Sequence, residues 1–151
     1  TFMLHFGGWK KLQDRSVTPA VLASHAHDVF QCTSKMLRNI YGFTEQLSII
    51  YPDDLDGFKR VPTYAEVIVR DIRTLEPVPD GNEGFLEFLT PLPNSYPGNA
   101  ILLDDLGRIV GRGPDSRGRE GVSFEIIGRA EGGEPRGCGD TLADEIYEVR
   151  E

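Results

Sequence analysis

A chain of 151 residues with 39% apolar content is about one domain long and carries enough hydrophobic material for a core of ordinary size. Its 24 carboxylates against 16 lysines and arginines leave a net charge of -8, which repels a phosphate backbone and argues against a nucleic-acid partner. No apolar run approaches the roughly 20 residues that span a bilayer, the start lacks the basic-then-apolar order of a signal peptide, and two cysteines are too few for a disulfide framework, so a cytoplasmic setting is expected.

Thr1 to Phe6 reads as a strand with no initiator Met before it, as a segment from inside a longer protein would. Gly7-Gly8 then turns the chain. Thr18 is placed to cap a helix with Pro19 in its first turn, and Val21, Leu22, His25 and Val29 share one face. Lys35 to Ile40 forms a second strand, ending at Tyr41-Gly42-Phe43-Thr44-Glu45. This strand, glycine turn, helix and strand read as the end of an α/β subdomain, with a ligand site expected at the carboxyl end of the strand.

From Tyr64 the period changes to two: Ala65, Val67 and Val69 alternate with Glu66, Ile68 and Arg70, and Phe85 to Leu89 repeats the pattern. Pro77 to Asn82 has the chemistry of a tight connection between these strands. Further short strands are expected at Ala100 to Leu103, Arg108 to Val110 and Val122 to Ile127. The fold class is therefore α+β, with a small antiparallel, barrel-like subdomain after the α/β piece. A short C-terminal helix is expected over Asp140 to Val149, where Thr141-x-x-Asp144 has the spacing of a capping box. The divisions fall at 1–50, 51–128 and 129–151.

Several of these residues carry chemistry. Tyr41 to Glu45 combine an aromatic ring, a glycine that admits close backbone approach, a hydroxyl and a carboxylate, a set that suits a nucleotide. The alternative is a polar strand end with a turn glycine. Asp104-Asp105-Leu106-Gly107 offers a carboxylate that could take both hydroxyls of a ribose, or else a hairpin turn with solvated acids. Gly128-Arg129 follows the last strand, where a guanidinium could reach ribose or phosphate. Cys138, between Gly137 and Gly139 and two residues after Arg136, is accessible and favoured as thiolate, so it reads as a nucleophile or as packing. His25, His27 and Cys32 lack the spacing of a zinc site. Lys10 and Lys11 read as a solvated turn.

Taken in order, His5 to Lys10, Tyr41 to Glu45, Asp104 to Gly107 and Gly128-Arg129 resemble the adenylate-forming superfamily of acyl-CoA synthetases and luciferases. Pro79-Asp80-Gly81, Asn94 to Gly98, Gly128 to Glu131 and Arg136 to Asp140 are similar to the C-terminal half of one of its branches, the acyl-protein synthetases, or long-chain-fatty-acid luciferin-component ligases. That resemblance implies that Gly7 and Gly8 border adenine, that Tyr41, Gly42, Thr44 and Glu45 meet adenine, the α-phosphate and a magnesium ion held by Glu45, and that Asp105 holds the ribose. It further implies Arg129 at an interdomain hinge and Cys138 as the acceptor of the acyl group. ATP, magnesium, a fatty acid and an acyl-accepting reductase are the implied cofactors and partners. One adenylate touching all these groups requires Thr44 and Glu45 to lie near Asp105.

Only 13 residues follow Cys138, too few for the lysine-bearing C-terminal domain of ordinary acyl-CoA synthetases. The superfamily's serine-, threonine- and glycine-rich phosphate loop has no counterpart here, which implies that this stretch alone is a poor catalyst. Gly57 to Pro62 and Gly111 to Gly121 lack the Cys and His residues associated with metal-bound relatives. Two other readings remain: a phenylacetate:CoA ligase-like protein, which delivers the acyl group to a free thiol, and a non-catalytic binding domain.

Overall fold

The computed structural model describes residues 2–7, 15–47 and 49–130. Helix α1 (Pro19–Phe30) begins where the sequence places its cap: the Thr18 side chain accepts the Val21 N–H at 3.4 Å, and Pro19 occupies the first turn, where its missing N–H has no partner to lose. Gln31 ends the helix in the left-handed conformation, with φ of 56°, its N–H donating to the His27 carbonyl at 2.8 Å. The helix connects β1 (Met3–Phe6) to β2 (Leu37–Tyr41), which pair in parallel, and β3 (Tyr51–Pro52) adds antiparallel to β2. Among the described residues no helix is long and apolar enough to cross a membrane.

The period-two stretches form a second, antiparallel sheet of five strands. Its order is β4 (Lys59–Val61), β8 (Val122–Arg129), β7 (Ala100–Arg112), β6 (Gly84–Leu89), β5 (Glu66–Arg70). The β5–β6 connection contains the expected tight turn: the Asn82 N–H donates to the Pro79 carbonyl at 3.1 Å, and Gly81 supplies the positive φ of 88°. The barrel expected from the sequence does not close by hydrogen bonds among the described residues, because β4 and β5 remain opposite edges. Val61 to Glu66 can span at most about 17 Å, whereas five flat strands measure about 19 Å across, so the sheet must curl. Closure stops there because β4 has only three residues and is followed by Pro62, which has no N–H to give a partner.

A second correction concerns Asp104 to Gly107. The sequence reading places a turn there between two short strands, but β7 runs unbroken for 13 residues. Gly107 serves closeness rather than turning: a Cβ on it would meet the Glu125 carbonyl oxygen at 2.4 Å and a Leu86 methyl at 2.9 Å. The β7–β8 ladder also shifts register between Leu106 and Gly107, a bulge that locally increases twist.

The two sheets share one core. Leu86 and Phe88 of β6, Val67 and Val69 of β5, Ile109 of β7 and Phe124 of β8 are buried on the inner face, and Ile49 and Tyr51 from the small sheet's side join them. Tyr51 and Phe88 rings lie 4.7 Å apart, with Phe124 edge-on to Phe88 at 5.5 Å. A polar contact adds to this apolar seam. Lys59 of β4, largely buried, donates to Asp53 Oδ1 at 2.7 Å and to the Asn39 side chain of β2. The expected C-terminal helix over 140–149 lies outside the described residues.

Candidate functional site

Tyr41 is the last residue of β2, and its ring enters the shared core, with centroids 5.8 Å from Phe43, 5.9 Å from Phe88 and 6.2 Å from both Tyr51 and Phe124. Fixing the ring aims the hydroxyl. It donates to Asp105 Oδ2 at 2.5 Å. Asp105 lies opposite Arg129 in the β7–β8 register, and Arg129 Nε meets its other oxygen, Oδ1, at 3.2 Å. Ala130 N–H donates to the Asp104 carbonyl at 2.9 Å, which extends the ladder past Arg129 and holds this end of β8 in place.

The carboxylate thus receives one donor on each oxygen while its side chain stays 18% exposed. Each oxygen accepts about two hydrogen bonds, so each has capacity for one more donor from the solvent side. Burial first, then the charge of Asp105 and its hydrogen bond, push the Tyr41 phenol well above its ordinary range, against an opposing effect of Arg129. Tyr41 therefore keeps its proton at neutral pH and acts as a hydrogen-bond donor to Asp105.

After Tyr41 the chain passes Gly42 and Phe43 into a single 3₁₀ turn, Thr44–Gln46. Gly42 has no positive φ, and a Cβ there would touch only the Ile50 side chain, at 3.7 Å, and the Ile49 carbonyl, at 4.0 Å. The protein's own packing does not demand this glycine. Thr44 and Glu45 are exposed, with the Thr44 hydroxyl donating to Glu45 Oε2 at 3.2 Å. Gly7, two residues past the His5–Asn39 register pair, has a φ of 87° that requires glycine. Gly8 and Cys138 lie outside the described residues.

The structure therefore brings together Tyr41, Asp105 and Arg129 from three strands of two sheets, with Thr44 and Glu45 on the turn that continues from Tyr41. Among the described residues no cluster of three or more His, Cys, Asp or Glu side chains could hold a metal. An exposed carboxylate beside a hydroxyl, as at Glu45 and Thr44, is an oxygen donor set that fits magnesium when substrate phosphates complete the coordination. Sequence reasoning gives no role to Gln46, and takes in Tyr96 only as part of the family-like stretch Asn94 to Gly98. Gln46 is fully buried with its side chain bonded to Tyr51, and the Tyr96 hydroxyl donates to the Glu45 carbonyl. A lone glutamine in a short turn and a tyrosine in a Pro- and Gly-containing loop carry no local signal of such contacts.

The chain is thus a mixed α+β protein with a tyrosine- and arginine-bound aspartate where its two sheets meet. The family model of acyl-protein synthetase, LuxE, matches residues 1–147, and the chain belongs to that family. It is 30% identical over 142 residues to the long-chain-fatty-acid luciferin-component ligase of Aliivibrio fischeri, covering 93% of this chain and 36% of that protein. The Vibrio harveyi protein of the same name is 27% identical over 138 residues, 91% of this chain and 35% of its own length. The chain thus spans about a third of the relatives it matches. Its fold is shared with McyG A-PCP complexed with phenylalanyl-adenylate, at a TM-score of 0.54 and 17% identity, over 86% of this chain and 25% of that one.

Proposed function

We propose that this chain forms the C-terminal part of an ATP-dependent, AMP-forming acyl-protein synthetase that activates a long-chain fatty acid and passes it to a cysteine thiol. The observation that carries the reading is the aspartate at the meeting of the sheets, Asp105, held by Tyr41 and Arg129 with an acceptor position left on each oxygen. Family membership supports the chemistry.

In this reading the ribose hydroxyls of ATP donate to Asp105, while Gly7, Gly8 and Gly42 let the adenine lie close to backbone. The Tyr41 ring is packed in the core rather than free to stack on the base, so Tyr41 contributes through its hydroxyl, which holds the Asp105 carboxylate. Thr44 donates to an α-phosphate oxygen, and Glu45 would hold a magnesium ion, which supplies screening of phosphate charge. The fatty-acid carboxylate attacks the α-phosphorus; the bond to the β-phosphate oxygen breaks, giving acyl-adenylate and pyrophosphate. The Cys138 thiolate then attacks the acyl carbon, and AMP leaves with the electron pair of the broken C–O bond. Arg129, at the end of β8, stands at the hinge between the nucleotide site and the segment carrying Cys138, and a reductase protein accepts the acyl group from the thioester.

The test is fatty-acid-dependent exchange of labelled pyrophosphate into ATP by the intact enzyme. Exchange that requires a long-chain acid and is weakened by Asp105→Ala chiefly through the KM for ATP is the expected result. Acid-independent exchange, or an Asp105→Ala enzyme with an unchanged KM, sinks the reading.

A further inference from the structure

Thr44 to Gln46 is a three-residue 3₁₀ turn, too short to hold itself in place by cooperative hydrogen bonding. Its order comes from outside. The Gln46 side chain is fully buried: its carbonyl accepts the Tyr51 hydroxyl at 2.7 Å and its amide donates to the Gly98 carbonyl at 3.4 Å. One residue earlier, the Tyr96 hydroxyl donates to the Glu45 backbone carbonyl at 2.5 Å. Both Tyr96 and Gly98 belong to the loop between β6 and β7, about fifty positions from the turn. The Glu45 carbonyl and the side chain of the next residue, Gln46, are thus both held by this loop, while the Glu45 carboxylate stays exposed.

Local sequence explains how the loop does this. The Gly98 N–H donates to the Tyr96 carbonyl at 2.8 Å, folding the loop back on itself. A Cβ on Gly98 would lie 2.6 to 2.9 Å from the Tyr96 ring and hydroxyl. Glycine therefore makes room for the ring in the position from which its hydroxyl reaches Glu45.

We propose that the Asn94–Gly98 loop is a clamp on the phosphate end of the nucleotide site, with Tyr96 and Gln46 as positioning residues that fix the backbone of Glu45. This rests on the function proposed above. The clamp sets where the Glu45 carboxylate and Thr44 hydroxyl stand before a nucleotide arrives, and it acts through the main chain, so it touches neither the fatty acid nor the ribose.

Two gentle variants test it. Tyr96→Phe removes only a hydroxyl from a partly exposed ring, and Gly98→Ala puts a methyl at a buried position whose nearest neighbour is that ring, which must move aside. In the intact enzyme without ligands, each is expected to speed hydrogen exchange of the amides around Phe43 to Leu47 by about two- to tenfold, the worth of one hydrogen bond. In ATP-binding titrations with added magnesium, each should raise the half-saturating magnesium concentration by a similar factor and leave the KM for fatty acid unchanged. Unchanged exchange, or faster exchange with unchanged magnesium dependence, overturns the clamp. Glu45→Gln separates the two levels of the argument. If it shifts the magnesium dependence while the loop variants do not, the clamp alone fails; if it shifts nothing, the nucleotide reading itself fails and the clamp with it.

Discussion

The Tyr41 hydroxyl and the Asp105 carboxylate are 64 positions apart in the chain and 2.5 Å apart in space. This contact fastens the end of the small parallel pair to the middle of the longest strand of the large sheet. It has a measurable consequence in pH. The folded protein raises the Tyr41 phenol above its unfolded value of about 10, through burial first and Asp105 second. A group raised in this way contributes its full stability below pH of about 10 and loses it as the pH climbs further, because the unfolded chain releases the proton first. Urea midpoints measured from neutral to strongly alkaline pH should therefore fall above pH of about 10, and Tyr41→Phe should flatten the fall. At neutral pH that variant should lose about 1 kcal/mol, the worth of one hydrogen bond. Tyr51, raised chiefly by burial, titrates in the same direction and its charge adds to the rise at Tyr41, so part of the alkaline fall should persist in Tyr41→Phe. Identical alkaline slopes would mean that the Tyr41 hydroxyl is not held by Asp105.

Gly107 gives a prediction about close approach. Alanine there would drive a methyl group into the Glu125 carbonyl oxygen, a backbone atom of the paired strand that cannot swing away. Overpacking of this kind commonly costs about 1–3 kcal/mol, and a rigid neighbour puts Gly107→Ala near the upper end. The readout is the denaturation midpoint, and a loss below about 0.5 kcal/mol would show that the β7–β8 bulge can absorb the methyl group.

The same glycine shows where the sequence is readable and where it is not. Thr18-Pro19 announces α1 because capping and first-turn chemistry are local, and the structure uses both residues as their types demand. Asp-Asp-Leu-Gly looks like a turn because glycine usually appears where backbone must turn. Here it appears because Leu86, twenty-one positions earlier, needs the space, and nothing near Gly107 records that. Strands β3 and β4, of two and three residues, have no local signature for the same reason: they exist only through their registers with β2 and β8. Tyr41, Asp105 and Arg129 stood out as types able to meet a nucleotide, and the fold brings them together. Gln46, Tyr96 and Lys59 hold the site and the seam; Gln46 and Lys59 have near partners in Tyr51 and Asp53, but the contacts of Gln46 with Gly98, of Tyr96 with Glu45 and of Lys59 with Asn39 span 52, 51 and 20 positions, which no local spacing reveals.

Lys59 carries a prediction about the seam between the sheets. Its ammonium, with a side chain 10% exposed, sits between Asp53 and Asn39. Lys59→Met keeps the aliphatic stem and leaves Asp53 with the Asn39 N–H at 3.3 Å as its remaining donor. Breaking a fully buried pair costs about 3–5 kcal/mol; Asp53 is 21% exposed and partly solvated, so about 2 kcal/mol is expected. Adding Asp53→Leu should recover part of the loss, since the orphaned carboxylate is then gone. A double variant no more stable than Lys59→Met would show that the pair contributes through attraction rather than through mutual neutralisation.

The last prediction concerns the acyl acceptor. In the sequence Cys138 lies between Gly137 and Gly139, two residues after Arg136, and the function proposed above makes it the acyl acceptor. A thiolate near neutral pH attacks an acyl-adenylate directly, whereas a serine hydroxyl in its place needs a general base to remove its proton. Cys138→Ser should therefore keep fatty-acid-dependent pyrophosphate exchange and lose covalent acyl loading. Cys32, the other cysteine, is buried in the fold and offers the adenylate no accessible sulfur, so Cys32→Ala should load normally. The measurement is incubation of the intact enzyme with ATP and labelled fatty acid, followed by neutral hydroxylamine, which cleaves thioesters and spares ordinary oxygen esters. Label on the wild type should be released by hydroxylamine and absent from Cys138→Ser. Label that persists on Cys138→Ser, or that resists hydroxylamine on the wild type, would remove Cys138 from the reaction and move the acyl acceptor to another group.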